Sequence, residues 1–304
     1  MKTIVRQFEK RRAFTIVELL TVMSIIVILI GLLVPALNKV RIYAKEVTQN
    51  AQFHSIEAAL ELFNNAFDGY PDSAAVDSSG SMYLYCGAMK LCEAMMGQDM
   101  LGFHSNSVFR ADGRDAAGAT LLYDPTADLT ARKGPYLPPE SADAVEVGEI
   151  WPTKVTATTP SAGAFMARSR VLCDVYTRRL DSGRKAGMPV LYYKADTTGK
   201  GRFHDPSRAA TMTPTDNRGN IYNFLDNQDL IDLGMPGAAA AGMPYVPKMD
   251  FNRFYKNTLS DKVTTVDRPF RADTYILISA GYDAEYGTAD DIMNFKWDYK
   301  ELVP

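Results

Sequence analysis

Histidine and cysteine are scarce in this 304-residue chain, three of each, and with them goes most of the chemistry those side chains support. No H-E-x-x-H, paired C-x-x-C, G-x-S-x-G or Walker A loop occurs, and Gly199-Lys200-Gly201 lacks the glycine spacing and the Ser or Thr of a phosphate loop. His54 falls on a helical stretch, while His104 and His204 stand in loop-like contexts without an acid and a nucleophile beside them. These residues do not support reading the chain as an enzyme. Positive charge is lacking as well: the formal net charge is −3, which argues against general binding to nucleic acid. Cys86, Cys92 and Cys173 are odd in number, and both a Cys86–Cys92 disulfide and a set of buried thiols remain open.

What the chain does have is concentrated at its start. A basic leader, residues 1–13, carries Lys2, Arg6, Lys10, Arg11 and Arg12 against Glu9, and runs into an apolar stretch of 24 residues, 14–37. About 20 apolar residues suffice to cross a bilayer core, so this segment is long enough to span. The basic leader holds the chain start in the cytoplasm and places everything beyond residue 37 outside. One acid, Glu18, interrupts the run. A carboxylate at that depth costs about 2.5 to 3.5 kcal/mol on insertion scales, so a bare anchor has no use for it. A secretory signal has a shorter apolar region with its small-residue cut site on the far side, whereas here the small residue, Ala13, comes first.

The string Ala13-Phe14-Thr15-Ile16-Val17-Glu18-Leu19-Leu20 resembles the class III signal of type IV pilins and type II secretion pseudopilins. The resemblance implies a cut between Ala13 and Phe14 by a prepilin peptidase, N-methylation of Phe14, and a role for Glu18 in neutralising the terminal amine of a neighbouring subunit during filament assembly. That pairing is physically apt, because a buried charge is tolerable when paired and unfavourable alone. Ala13 stands where the family nearly always has Gly. Without its leader the chain has 28 Lys plus Arg against 35 Asp plus Glu, a balance of −7.

Beyond the membrane, Val40, Tyr43, Val47 and Ala51, then Ile56, Leu60 and Phe63, recur at near-helical spacing, which predicts an amphipathic extension over 38–66 packed on a partner surface. A helix over 14–66 would be roughly 80 Å long. Gly31 and Pro35 favour a kink or local unwinding within it. Asp68-Gly69-Tyr70-Pro71 ends the helix by turn chemistry, and residues 67–304 then form a globular domain. Residues 83–85, 190–193 and 275–278 suit strands. The expected class is α+β: one long helix packed on a small antiparallel sheet. The Gly-Tyr-Pro turn and Gly134-Pro135-Tyr136-Leu137 are similar to elements of the major pseudopilins, which implies a pilin-like layout with a large insertion between Ser73 and Asp273. Residues 234–244, rich in Gly and Ala, read as a surface loop.

A second motif lies near the end. Asp283, Glu285, Asp290 and Asp291 fall within nine residues, among glycines. The residues alone allow either a solvated acidic turn or a set of hard oxygen donors of the kind calcium prefers, although the spacing is not that of an EF-hand. The stretch is similar to the Ser-x-Gly-x-Asp and Gly-Thr-x-Asp-Asp of major pseudopilins. That resemblance implies a structural calcium ion held by Asp283, Asp290 and Asp291, with Ala284 standing where the family usually has Gly and Tyr282 where Pro is frequent.

The resemblance thus implies a structural subunit of a type II secretion pseudopilus. It would be a single-pass inner-membrane protein with a periplasmic domain, polymerised through its N-terminal helix by a machine with a cytoplasmic ATPase. Implied partners are the prepilin peptidase, copies of itself, minor pseudopilins and the inner-membrane platform. Two alternatives stand beside it: another type IV pilin-like subunit serving adhesion or DNA uptake, and an anchored exported enzyme. The first draws on residues 168–202, where nine basic side chains face only Asp174, Asp181 and Asp196, either as an anion-binding face or as a solvated mixed one.

Overall fold

The computed structural model describes residues 15–77, 83–124, 126, 129–138, 143–159, 161–180, 182–197, 205, 207, 213, 219–236 and 245–300. It has a long first helix, α1 (Ile16–Phe67), then α2 (Gly87–Met96), β1 (Phe103–His104), β2 (Arg132–Lys133), β3 (Asp143–Glu146), α3 (Val147–Ile150) and β4 (Arg170–Cys173). There follow β5 (Arg178–Arg179), β6 (Lys185–Ala186), β7 (Leu191–Lys194), α4 (Leu225–Asp232), α5 (Phe251–Thr258), β8 (Tyr275–Ser279) and β9 (Ile292–Met293). The described residues are therefore α+β, with small antiparallel sheets and a long apolar N-terminal helix. The chain divides into two compact units, Met1–Ala44 and Lys45–Pro304.

In the first unit, α1 is the one described helix long and apolar enough to cross a membrane, and no part of its most apolar window is buried within the chain. Helical structure is continuous across Pro35 from Ile16 to Phe67, so the expected unwinding is absent.

In the second unit the sheet β7-β8-β9 is central, with Tyr192 opposite Leu277, Tyr193 opposite Ile276 and Ile278 opposite Met293. Successive strand side chains point to opposite faces, so a strand covered on both sides reads as a continuous apolar run. β8, Tyr-Ile-Leu-Ile-Ser, is buried along its whole length. Tyr275 and Leu277, with Val190 and Tyr192, pack beneath Phe53, Ile56, Leu60 and Phe63 of α1 and Leu91, Met95 and Met96 of α2. Ile276 and Ile278, with Leu191 and Tyr193, meet Trp151, Tyr222, Leu230, Phe254 and Tyr255 on the other face. The residues between Ser73 and Asp273 supply most of both cores, which Ile276, Ile278 and Met293 on one face and the α1 side chains on the other complete.

The stem of α1 is fixed by polar contacts too. Gln49 is fully buried; its Oε1 accepts from the Val175 amide at 3.0 Å, while the Gln52 side chain donates to the Cys173 carbonyl at 2.9 Å. Glu57 takes Arg271 at 2.6 Å and the Asn294 amide at 3.0 Å. The helix ends on Asp68, which adopts the left-handed conformation (φ 54°) ahead of Gly69.

Two expectations change. Residues 83–85 form only isolated bridges, Tyr83 to Ala162 and Leu84 to Val76; the Tyr85 amide donates to the Ala75 carbonyl at 2.9 Å, and its hydroxyl donates to buried Glu93 at 2.5 Å. Val40, Tyr43 and Val47 are exposed, whereas Ile56, Leu60 and Phe63 are buried. Their spacing accumulates at about 100° per residue, which places the two sets on roughly opposite sides of the helix.

Replacing Leu60 by Ala removes a side chain with no exposure, and Leu62→Ala removes one that is 54% exposed. Thermal unfolding of the full chain in detergent should show a loss of about 2 to 5 kcal/mol for the first and about 0.5 kcal/mol or less for the second.

Candidate functional site: the helix terminus and the acidic loop

At the helix terminus, Thr15 and Glu18 form a reciprocal cap. The Glu18 amide donates to Thr15 Oγ1 at 3.2 Å, and Glu18 Oε2 accepts from the Thr15 amide at 2.9 Å and from its hydroxyl at 2.8 Å. This is the capping box that Thr-x-x-Glu encodes, with the acid where the helix dipole favours it. The Thr-x-x-Glu spacing carries this signal in the sequence. Capping orients the carboxylate without cancelling its charge. The processing residues Ala13 and Phe14 lie outside the described residues.

The acidic loop, residues 280–291, joins β8 to β9. Gly281 (φ 66°) is required, since a Cβ there would fall against the Asp290 carbonyl. Ala284 adopts φ 62°, a conformation suited to glycine. Asp283 Oδ1 accepts from the Glu285 amide at 2.8 Å, Asp290 Oδ2 from the Asp283 amide at 2.9 Å, and Asp291 Oδ2 from the Gly287 amide at 2.7 Å. Asp291 is only 4% exposed, and its Oδ1 is buried without a hydrogen-bond partner. Burial lifts the Asp291 carboxyl well above the ordinary range, with repulsion from Asp290 and Asp283 adding to it. Asp283 is raised mainly by burial and further by Asp290.

An orphaned buried carboxylate oxygen among hard donors fits a cation. The three aspartates share the loop without converging, for among the described residues no group of three or more His, Cys, Asp or Glu stands at metal-ligand spacing. The turns Gly69-Tyr70-Pro71 and Gly134-Pro135-Tyr136-Leu137 both pack on the α1 side of the sheet. The Tyr70 ring meets Tyr275 edge-on at 4.9 Å, and Tyr136 takes the Met95 carbonyl through its amide at 2.8 Å and lies 5.9 Å from Phe63.

The other candidates are dispersed. His54 bonds Glu57 at 3.2 Å, His104 accepts from the Asn106 amide, and His204 lies outside the described residues. Cys86, Cys92 and Cys173 are buried thiols without a disulfide, and burial pushes the first two up to about 12. Within the basic stretch Arg170 pairs with Glu146 at 2.6 Å and Arg184 with Glu149 at 2.7 Å, so these charges are spent locally. Lys200, Arg202 and Asp181 lie outside the described residues.

A group that sequence reading missed is Asp174, fully buried beside the loop. Ser279 Oγ donates to its Oδ2 at 2.8 Å, and the Tyr176 and Met188 amides donate to Oδ1 at 3.1 and 3.2 Å. Burial outweighs these donors and raises the carboxyl to about 7. Comparison with protein-family models, with curated proteins and with solved structures found no match.

The Asp174 value lies above the 3.8 of a free carboxyl, so its contribution to stability is complete below that pH and lost as pH rises through about 7. Unfolding free energy measured across this window should fall on the order of a few kcal/mol with rising pH through this group. Asp174→Asn should reduce the slope by the part this group contributes, while Asp226 and Asp291, whose carboxyls burial also raises, keep contributing with the same sign.

Proposed function

We propose that this chain is a structural subunit of a membrane-anchored filament, most like the major pseudopilin of a type II secretion system. The observation that carries the reading is the N-terminal helix. It begins in a capped Glu18 within an apolar segment that no described residue covers, and its other end is built into a folded domain. An anchor needs no acid at that depth, and an assembly contact does. The basic leader, the small residue Ala13 and the Phe14 that follows it place the acid fifth after the cut that a prepilin peptidase would make.

The subunit waits in the inner membrane with its domain in the periplasm. Recruitment pairs Glu18 with the methylated amine of a neighbour's Phe14. This removes the isolated charge and leaves the apolar helices to pack on one another. The work is mechanical, and no catalytic residue is assigned. Asp283, Asp290 and Asp291 would hold a structural calcium ion, which supplies positive charge to the loop and offsets the repulsion among its carboxylates. Ile292 and Met293, at the loop's end, pair with β8, so the loop's order bears on the last strand of the central sheet.

Co-expression of the full chain with a prepilin peptidase, followed by intact mass, tests the class. The expected product lacks residues 1–13 and carries one added methyl group. Removal of the whole apolar segment, or an unprocessed chain, would contradict the reading.

A further inference from the structure

The second compact unit begins at Lys45, and its first two turns of helix hold the segment that leads into the β5–β6 hairpin. Lys45 Nζ stands 5.4 Å from the centre of the Tyr176 ring, and the Val175 amide donates to Gln49. Two residues later the hairpin opens with Arg178, which donates to the Tyr282 and Asp283 carbonyls at 3.0 and 2.6 Å. Hairpin and acidic loop therefore lie together at the end of this unit where the chain enters it. Only residues 38–44 separate that end from the apolar run, a reach of about 10 Å as helix and about 25 Å at full extension.

Positive charge is left over at this end. Three loop acids, Asp283, Glu285 and Asp290, are met by three cations of the chain: Lys248 is in contact with Glu285 and 3.9 Å from Asp283, while Arg178 and Arg253 donate to loop carbonyls. Exposed Glu46 follows Lys45, and Arg184 is paired with Glu149. Arg179 and Lys185 have no such partner. They stand directly opposite each other across the hairpin, both exposed, and among the described residues neither meets an acid. Like charges so placed repel, and a ladder of two residue pairs has little to set against it. Around the loop the surface is apolar instead: Tyr282 is 56% exposed, and Val246, two residues before Lys248, is 78% exposed. Cations beside an exposed aromatic ring and an aliphatic side chain suit the headgroup region of a bilayer.

We propose that this end of the unit is a lipid-docking surface: Arg179 and Lys185 take anionic phospholipid headgroups while Tyr282 and Val246 enter the interface, which holds the domain against the membrane that carries its helix. This rests on the membrane-anchor reading given above. The helix already confines the domain within reach of the bilayer, so two weak contacts act at high effective concentration. Their attraction is electrostatic and is screened as salt rises. A subunit leaving the membrane gives these contacts up.

Peptide-resolved hydrogen exchange of the full chain in nanodiscs tests the proposal, comparing phosphatidylcholine alone with a mixture containing phosphatidylglycerol. Amides of 176–188 and 281–284 should exchange about fivefold more slowly in the anionic discs at low salt, and the difference should close in high salt. The double substitution Arg179→Gln, Lys185→Gln should abolish the difference, whereas Arg179→Lys should keep it. Both side chains are exposed, and each protein is compared with itself in the two lipids, so any change in hairpin stability cancels. Equal exchange of the wild type in both discs would overturn the proposal and leave the anchor reading standing. Protection by an added DNA duplex, with none from anionic lipid, would overturn it in favour of a nucleic-acid face. A chain that enters neither disc would overturn the proposal and the anchor reading together.

Discussion

Burial of one face of α1 organises the domain. Phe53, Ile56, Leu60 and Phe63 cover the sheet face that carries Tyr192, Tyr275 and Leu277, and the amides of Gln49 and Gln52 complete the backbone at the end of β4. Each buried side chain of this kind contributes about 1.5 to 3 kcal/mol by removal from water. With that face committed, the opposite sheet face is free to receive α4, α5 and Trp151. The helix therefore runs from an exposed apolar segment into a domain whose two cores share a single sheet.

The same helix presents a different surface toward its start. Its apolar residues are exposed there, and Glu18 is capped by Thr15 yet still charged. Capping satisfies donors at the helix end, and a bilayer penalises the net charge regardless. Among the described residues Thr15 alone is bonded to the Glu18 carboxylate, and on the proposed reading the neutralising charge comes from another subunit. A partner that brings a positive group to the same depth meets this requirement and aligns two apolar helices in doing so. The acidic loop poses the same problem in water, and there the chain supplies Arg178, Arg253 and Lys248 itself.

Strands 190–193 and 275–278 were legible because burial on both faces leaves an unbroken apolar run, and the structure sets them at Leu191–Lys194 and Tyr275–Ser279. Their pairing was not, since it joins segments about eighty residues apart with no local signal. Residues 83–85 have the aromatic content of a strand, but their partners are the short segment at Val76 and the distant Ala162, and the pairing stops at isolated bridges. In α1, apolar spacing of three to five residues cannot distinguish one face from two that drift apart, so Val40 and Leu60 looked alike. At the candidate site, the acids were visible as a cluster, whereas Asp174 and Lys248 matter through neighbours more than 30 residues away in sequence. Thr15 and Glu18 were read only as part of a processing motif, although Thr-x-x-Glu also spells the capping box that the structure shows.

Those two meanings of Glu18 separate cleanly in one substitution. Glutamine completes a capping box as glutamate does but carries no charge. The decisive measurement is the yield of sedimentable filaments from full chains co-expressed with a prepilin peptidase, wild type against Glu18→Gln. The account predicts that Glu18→Gln enters the membrane, is processed and stays unassembled. Filaments formed as readily by Glu18→Gln as by wild type would show that the acid is a helix cap alone, and would contradict the claim that its charge recruits the next subunit.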